Sequence, residues 1–145
     1  MLRIKITSVI TPYENDTPLT EDRQMLRSTA KGTLSLGDDG GVLRYTEENE
    51  GAVSETVIRF PVSRNALTLE RSGAIESKIE LSAGRVHHST YKLPPYSFPL
   101  SVALSSLENT LSERGGRLRL SYKMTLGGEE QGVSLLLLAE SEDAL

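Results

Sequence analysis

The sequence predicts an all-β protein, a single antiparallel up-and-down barrel of about eight to ten strands. Three observations carry this expectation. Apolar and polar residues alternate with a period of two along most of the chain, short turn-like breaks separate the alternating segments, and about ten such segments follow one another. Strands buried on both faces, as in a parallel sheet, would read as continuous apolar runs instead. A two-sheet sandwich has the same periodicity and stays open as the alternative.

Leu2–Ile10 opens the series, with Leu2, Ile4 and Ile6 set against Arg3, Lys5 and Thr7. Thr11–Arg23 is the one long polar stretch and reads as a surface loop, with Thr17-Pro18 as a weak start signal for a short helix. Asp38-Asp39-Gly40-Gly41 then separates Gln24–Leu36 from Val42–Thr46. Ser72-Gly73 stands between Asn65–Arg71 and Ala74–Leu81, where glycine can take the positive φ of a tight hairpin. Ala83-Gly84 leads into Arg85–Lys92, and Glu113-Arg114-Gly115-Gly116 separates Val102–Leu111 from Arg117–Leu126. Pro94, Pro95 and Pro99 should keep a ladder from running through 93–99, because proline has no N–H to give. No fixed-period repeat or low-complexity segment appears, so residues 1–145 are expected to form one domain.

Composition narrows the function classes. A chain of 145 residues can bury a real core. A formal charge of −4, with Lys and Arg spread singly, argues against a nucleic-acid surface, which needs a clustered basic face. The absence of cysteine excludes disulfides, thiolate catalysis and Cys-ligated metals. The N-terminus MLRIKITSVI has no continuous apolar region of the signal-peptide kind, and no apolar run could span a bilayer as a helix. A soluble cytoplasmic protein without membrane contact is the expectation.

Gly127-Gly128-Glu129-Glu130-Gln131-Gly132 is the most loop-like motif. A phosphate cradle would need a helix directly after it, so that backbone N–H groups face the anion. Val133–Leu138 is aliphatic and short, so the motif reads as a hairpin turn with dispensable glutamates. His87-His88 is the obvious metal or acid–base pair, but adjacent residues on a strand point to opposite faces and cannot chelate one ion without a bulge. No Gly-x-Ser-x-Gly elbow marks a nucleophilic serine.

Several residues recur together in a known order. They are Arg71-Ser72-Gly73-Ala74, Tyr91, Pro94, Leu100-Ser101-Val102, and the run from Leu120-Ser121-Tyr122 through Gly127-Gly128-Glu129 to Gly132. From about Ile4 to Glu140 the chain resembles the YwiB-like family of small bacterial proteins, a domain of unknown function with a calycin-like (lipocalin-like) β-barrel. The resemblance implies one antiparallel barrel and no established activity. Where family members tend to show Thr-Pro, an aromatic and a glycine, this chain has Leu93-Pro94-Pro95-Tyr96. It also has no tryptophan, so the Gly-x-Trp signature of secreted lipocalins is missing.

Extending each apolar face inward places Ser8, Ser28, Ala30, Gly32, Ser77, Ser106 and Tyr122 among the aliphatic residues. Small and hydroxyl-bearing positions either leave room for a ligand or merely fit the taper of a packed barrel. Ser28, Ser77, Ser106 and Tyr122 are the candidate ligand residues, with Tyr122 as polar anchor because a buried phenol needs a partner. No cofactor, metal or catalytic residue is expected. The leading functional expectation is a non-catalytic barrel that binds a small, partly apolar molecule inside. A structural or interaction protein acting through its outer surface comes second, and an enzyme last. Leu135–Leu138 breaks the alternation, so two leucines must face outward. With Leu136 and Leu138 outside, the Thr11–Arg23 loop folding across the barrel or a homodimer contact could cover them, and the homodimer is the expected cover because that loop is too polar to offer much apolar area.

Overall fold

In a computed structural model, the structure describes residues 2–14, 17–18, 26–49, 51–73, 76–93 and 95–141. The alternating segments become the strands β1 (Leu2–Glu14), β2 (Thr17–Pro18), β3 (Leu26–Gly37), β4 (Gly40–Asn49), β5 (Ala52–Pro61), β6 (Ala66–Gly73), β7 (Ser77–Ser82), β8 (Val86–Leu93), β9 (Tyr96–Asn109), β10 (Gly115–Leu126) and β11 (Glu129–Ser141). They form one antiparallel sheet in the order β7-β6-β5-β4-β3-β1-β11-β10-β9-β8, with β2 attached to β1. The sheet curls until its two end strands meet. Glu76 N donates to Lys92 O (2.9 Å) and Lys92 N to Glu76 O (2.8 Å), a single isolated bridge across the seam. The molecule is therefore a nearly closed ten-strand barrel, not a sandwich. No helix among the described residues is long and apolar enough to cross a membrane.

Several boundaries differ from the sequence expectation, beginning with β1, which runs on through residues 11–14 of the expected surface loop and pairs there with β11. Thr17-Pro18 does not start a helix but pairs with Tyr13 and Glu14 of β1 as a short edge strand. An edge needs few donors, so proline is admitted there. Ser72 and Gly73 do not form the β6–β7 turn, because they continue β6 against Glu55 and Ser54. The ladder also runs through Pro99, which pairs with Thr90. β10 ends at Leu126, opposite Leu100, so beyond Leu100 one side of β9 lies on an edge that tolerates a missing N–H. Finally, the β10–β11 turn is shorter than the whole glycine motif. It consists of Gly127 and Gly128 alone, at φ 58° and 89°, the two positive values that a tight two-residue hairpin turn requires.

Alternation fills the interior as expected. Ile4 and Ile6, Leu34, Leu43, Ile58, Leu118 and Leu120, and Leu137 are sealed from solvent. Gly32, paired with Ile4 and Tyr45, leaves room for the β4 backbone and the Ile6 side chain to approach β3 closely. A Cβ at this position would collide with the Arg44 carbonyl and come within 2.9 Å of Tyr45 Cβ.

An up-and-down barrel gathers alternate turns at opposite ends. One end carries the β3–β4, β5–β6, β7–β8 and β9–β10 connections, and it is plugged. Leu111, in the connection after β9, is 0% exposed and belongs to the core. Arg64 in the β5–β6 turn donates to the carbonyls of Leu111 (2.6 Å) and Asn109 (3.4 Å), with its guanidinium 5.4 Å from the Phe60 ring centroid. The opposite end carries the β4–β5, β6–β7, β8–β9 and β10–β11 connections. Arg71, Ser77, Tyr91, Tyr96 and Phe98 lie towards it.

Candidate functional site: a groove through the barrel seam

β7 and β8 share one bridge, so the wall is thin where the sheet meets itself. A groove of about 560 Å³ lies there. Its lining combines inner-face residues Arg71, Ser77 and Ser89 with outer-face residues such as Ser72, Thr90 and Lys92. In-phase residues on each strand establish which is which. Arg71 follows Leu67 and Leu69, Ser77 precedes Ile79 and Leu81, and Ser89 pairs with Leu100, all of these leucines and isoleucines being buried. The groove thus passes from the outer surface to the interior.

Arg71 sits at the inner side of this passage. Cross-strand register puts it in one row with Ser77, Thr56, Tyr45 and Gly32. Thr56 is 1% exposed and shares a side-chain hydrogen bond with Tyr45. Burial pushes the Tyr45 phenol up to about 12, and the Glu47 carboxylate adds to the rise, while the Arg71 charge and the Thr56 hydrogen bond oppose it. Burial also raises the Tyr122 phenol, again against the Arg71 charge. Tyr122 stands on β10 and Tyr45 on β4, so Arg71 projects its field onto phenols from two walls of the barrel. Among the described residues no carboxylate forms an ion pair with Arg71. Three outward arginines differ. Arg44 meets Glu55 (3.5 Å), Arg59 meets Glu70 (3.3 Å) and Arg117 meets Glu108 (2.6 Å).

The sequence-predicted residues separate. Ser77 lines the groove and Tyr122 lies on the inner face, half-buried and packed on the core. Ser28 pairs with Ser8, but the side chains of both lie outside the described residues. Ser106 is a correction, for it is exposed and does not face inward. Ser121 pairs with Ser106 and Tyr122 with Leu104, so Ser105 is an extra residue, and this β-bulge reverses the alternation beyond Leu104. Leu107, not Ser106, turns back to the core. His87 is half-buried, with Nδ1 3.7 Å from Glu80 Oε2, and His88 is exposed. Leu136 and Leu138 lie in the outward series of β11 opposite Arg119 and Arg117, and Leu138 is 42% exposed.

Sequence reasoning named Arg71 only within the recurring Arg71-Ser72-Gly73-Ala74 motif and not as a site residue. Its signal was the phase Leu67, Leu69, Arg71, which puts a cation where the alternation demands a core residue.

Comparison with known proteins places this barrel. Residues 4–136 match the family described as a domain of unknown function (DUF1934). The chain belongs to that family. It is similar to the uncharacterized beta-barrel protein YwiB of Bacillus subtilis (strain 168), with 27% identity over 89 residues. That match spans 61% of this chain and 61% of the relative's own length. The crystal structure of the ywiB protein from Bacillus subtilis superposes with a TM-score of 0.80 at 18% identity, covering 97% of this chain and 92% of that one. At this identity the likeness concerns the fold alone.

Proposed function

We propose that the protein is a binding module for a small molecule, held in the seam groove with Arg71 at its inner end. The observation that carries this reading is the inward guanidinium, which has no carboxylate partner among the described residues, beside a passage through the wall. Desolvating a charge is costly unless something pairs with it. A structural arginine would normally be matched, as Arg44, Arg59 and Arg117 are. The site stands at the seam and polar end, because the middle of the barrel is filled by the aliphatic core. The test is an amide-resolved NMR screen with a panel of chemically varied fragments. Shifts should cluster at residues 71–72, 77–78 and 89–92. Fragments that shift only distant amides, or none at all, overturn the reading.

A second reading, an interaction surface on the outer wall, rests on Leu136 and the 42% exposed Leu138. It expects sedimentation at micromolar concentration to show a homodimer that Leu136→Lys with Leu138→Glu dissociates. A wild type that sediments as a monomer overturns it.

A further inference from the structure

We infer that the seam groove selects a carboxylate carried on a flat apolar body, with the carboxylate on Arg71 and the body under the rings of the β8–β9 hairpin. The inference rests on the binding role proposed above and names its ligand class. The first argument is charge. Among the described inner-face positions the ionisable groups other than phenols are Glu47, Arg71, His87 and, at the exposed tip of β11, Glu129, so Arg71 is the one permanently cationic group there. Glu47 belongs to the same inward series as Leu43 and Tyr45, and it acts electrostatically on Tyr45. At the outer mouth of the groove Lys78 and Lys92 are offset by Glu70 and Glu76, so a dianionic phosphate reaching inward would meet Arg71 as its one cation, with the Glu47 carboxylate on the same inner face. A carboxylate matches the planar fork of one guanidinium with a single charge.

The second argument is shape. β9 continues past the end of β10, so the β8–β9 hairpin overhangs the polar end. The inward phase of Phe98, Leu100 and Val102 on β9, and of Ser89, Tyr91 and Leu93 on β8, carries through the overhang. Tyr91 pairs with Phe98 and Leu93 with Tyr96, giving an apolar inner face beyond the packed core. Tyr96 and Phe98 stack with centroids 6.4 Å apart, yet remain 63% and 38% exposed. Tyr91 stands between two groove residues, Thr90 and Lys92, and packs against the core cluster. Rings that retain this much exposure next to a cationic passage can cover a flat apolar group, while the carboxylate reaches inward.

The experiment compares naphthylacetate with its neutral isostere naphthylacetamide, titrated into the wild-type protein and into Arg71→Met. Backbone amide NMR reports both site and affinity. The acid should shift the amides of Arg71, Ser77, Ser89, Tyr91 and Phe98, and the amide compound should bind about tenfold more weakly, the loss of one charge-assisted hydrogen-bond pair. Arg71→Met should abolish that preference. Because the comparison of the two probes needs only the wild type, a poorly folded variant would not obscure the result. Equal affinity of acid and amide at the groove would overturn the carboxylate assignment and leave the binding role standing. Failure of both probes to shift these amides would overturn the aryl-carboxylate class. The fragment panel then decides the binding role separately.

Discussion

The two ends of the barrel use arginine in opposite ways. At the plugged end, Arg64 folds over Phe60 and donates to the carbonyls of Asn109 and Leu111, tying one connection to another above a sealed leucine. Its charge is spent on protein acceptors. At the polar end, Arg71 lies on the inner wall beside a groove, with phenols around it and no carboxylate paired with it among the described residues. Neighbouring groups decide the role of each cation. One completes a structure, while the other leaves a charge available to a ligand.

The largest expected effect belongs to the plug. Leu111→Ala removes a fully buried side chain from the core and should cost about 2–5 kcal/mol of unfolding free energy. Urea denaturation measures it, and a loss below about 1 kcal/mol would mean that this end collapses around the gap and is no plug.

Arg64 comes next, with a built-in control. It is the non-glycine residue at positive φ, 59°, among those described. Arg64→Ala loses both carbonyl contacts and keeps the strained backbone, so a cost of about 1–3 kcal/mol is expected. Arg64→Gly loses the same contacts but relieves the left-handed conformation, and should recover about 1 kcal/mol. Equal stability of the two variants would remove backbone strain from the account.

Particular residues show how much of this was legible in the sequence. Leu118, Leu120, Tyr122, Met124 and Leu126 announce their face by strict alternation, and the barrel places them inward. Gly127-Gly128 announces its turn because only glycine takes two successive positive φ values easily. Ser105-Ser106 announces nothing. Two serines carry no phase, so the bulge that turns Ser106 outward is invisible until β10 supplies the register. Arg71 was hidden for another reason. Charge predicts exposure, phase predicts burial, and the usual weighting favours exposure, whereas here the phase prevailed.

The polar end has a pH signature. Phenols of an unfolded chain ionise near the ordinary value of about 10. In the folded protein Tyr45 ionises near 12 and Tyr122 also above its ordinary value, each chiefly because burial disfavours the charged form. Between these values the unfolded state has released protons that the folded state retains, so stability falls as pH rises. The contribution is complete below about pH 10 and is lost as pH rises through about 12. Denaturation midpoints taken across that window should decline, and Tyr45→Phe should flatten the decline. Arg71→Met should move both phenol titrations further up, since Arg71 now holds them down. Tyrosine absorbance reads this directly. Unmoved titrations would detach Arg71 from the two walls and equate it with an ordinary surface arginine.

The smallest effect is expected at the tip of the β10–β11 hairpin, also on the polar end. Glu129 pairs with Leu126 and Glu130 with Thr125, and both glutamates are exposed. The turn itself is made by backbone dihedrals at Gly127 and Gly128, to which the carboxylates contribute nothing. Replacing Glu129 and Glu130 together by Gln preserves size and strand pairing and removes two exposed negative charges. Surface changes of this kind stay within about 0.5 kcal/mol. The melting temperature should barely move, and naphthylacetate affinity should be unchanged or slightly higher, since lost anions at the same end can only favour an anionic ligand. A large fall in either quantity would make the tip part of the site and would extend the working region of this end from the seam to the far side of the barrel.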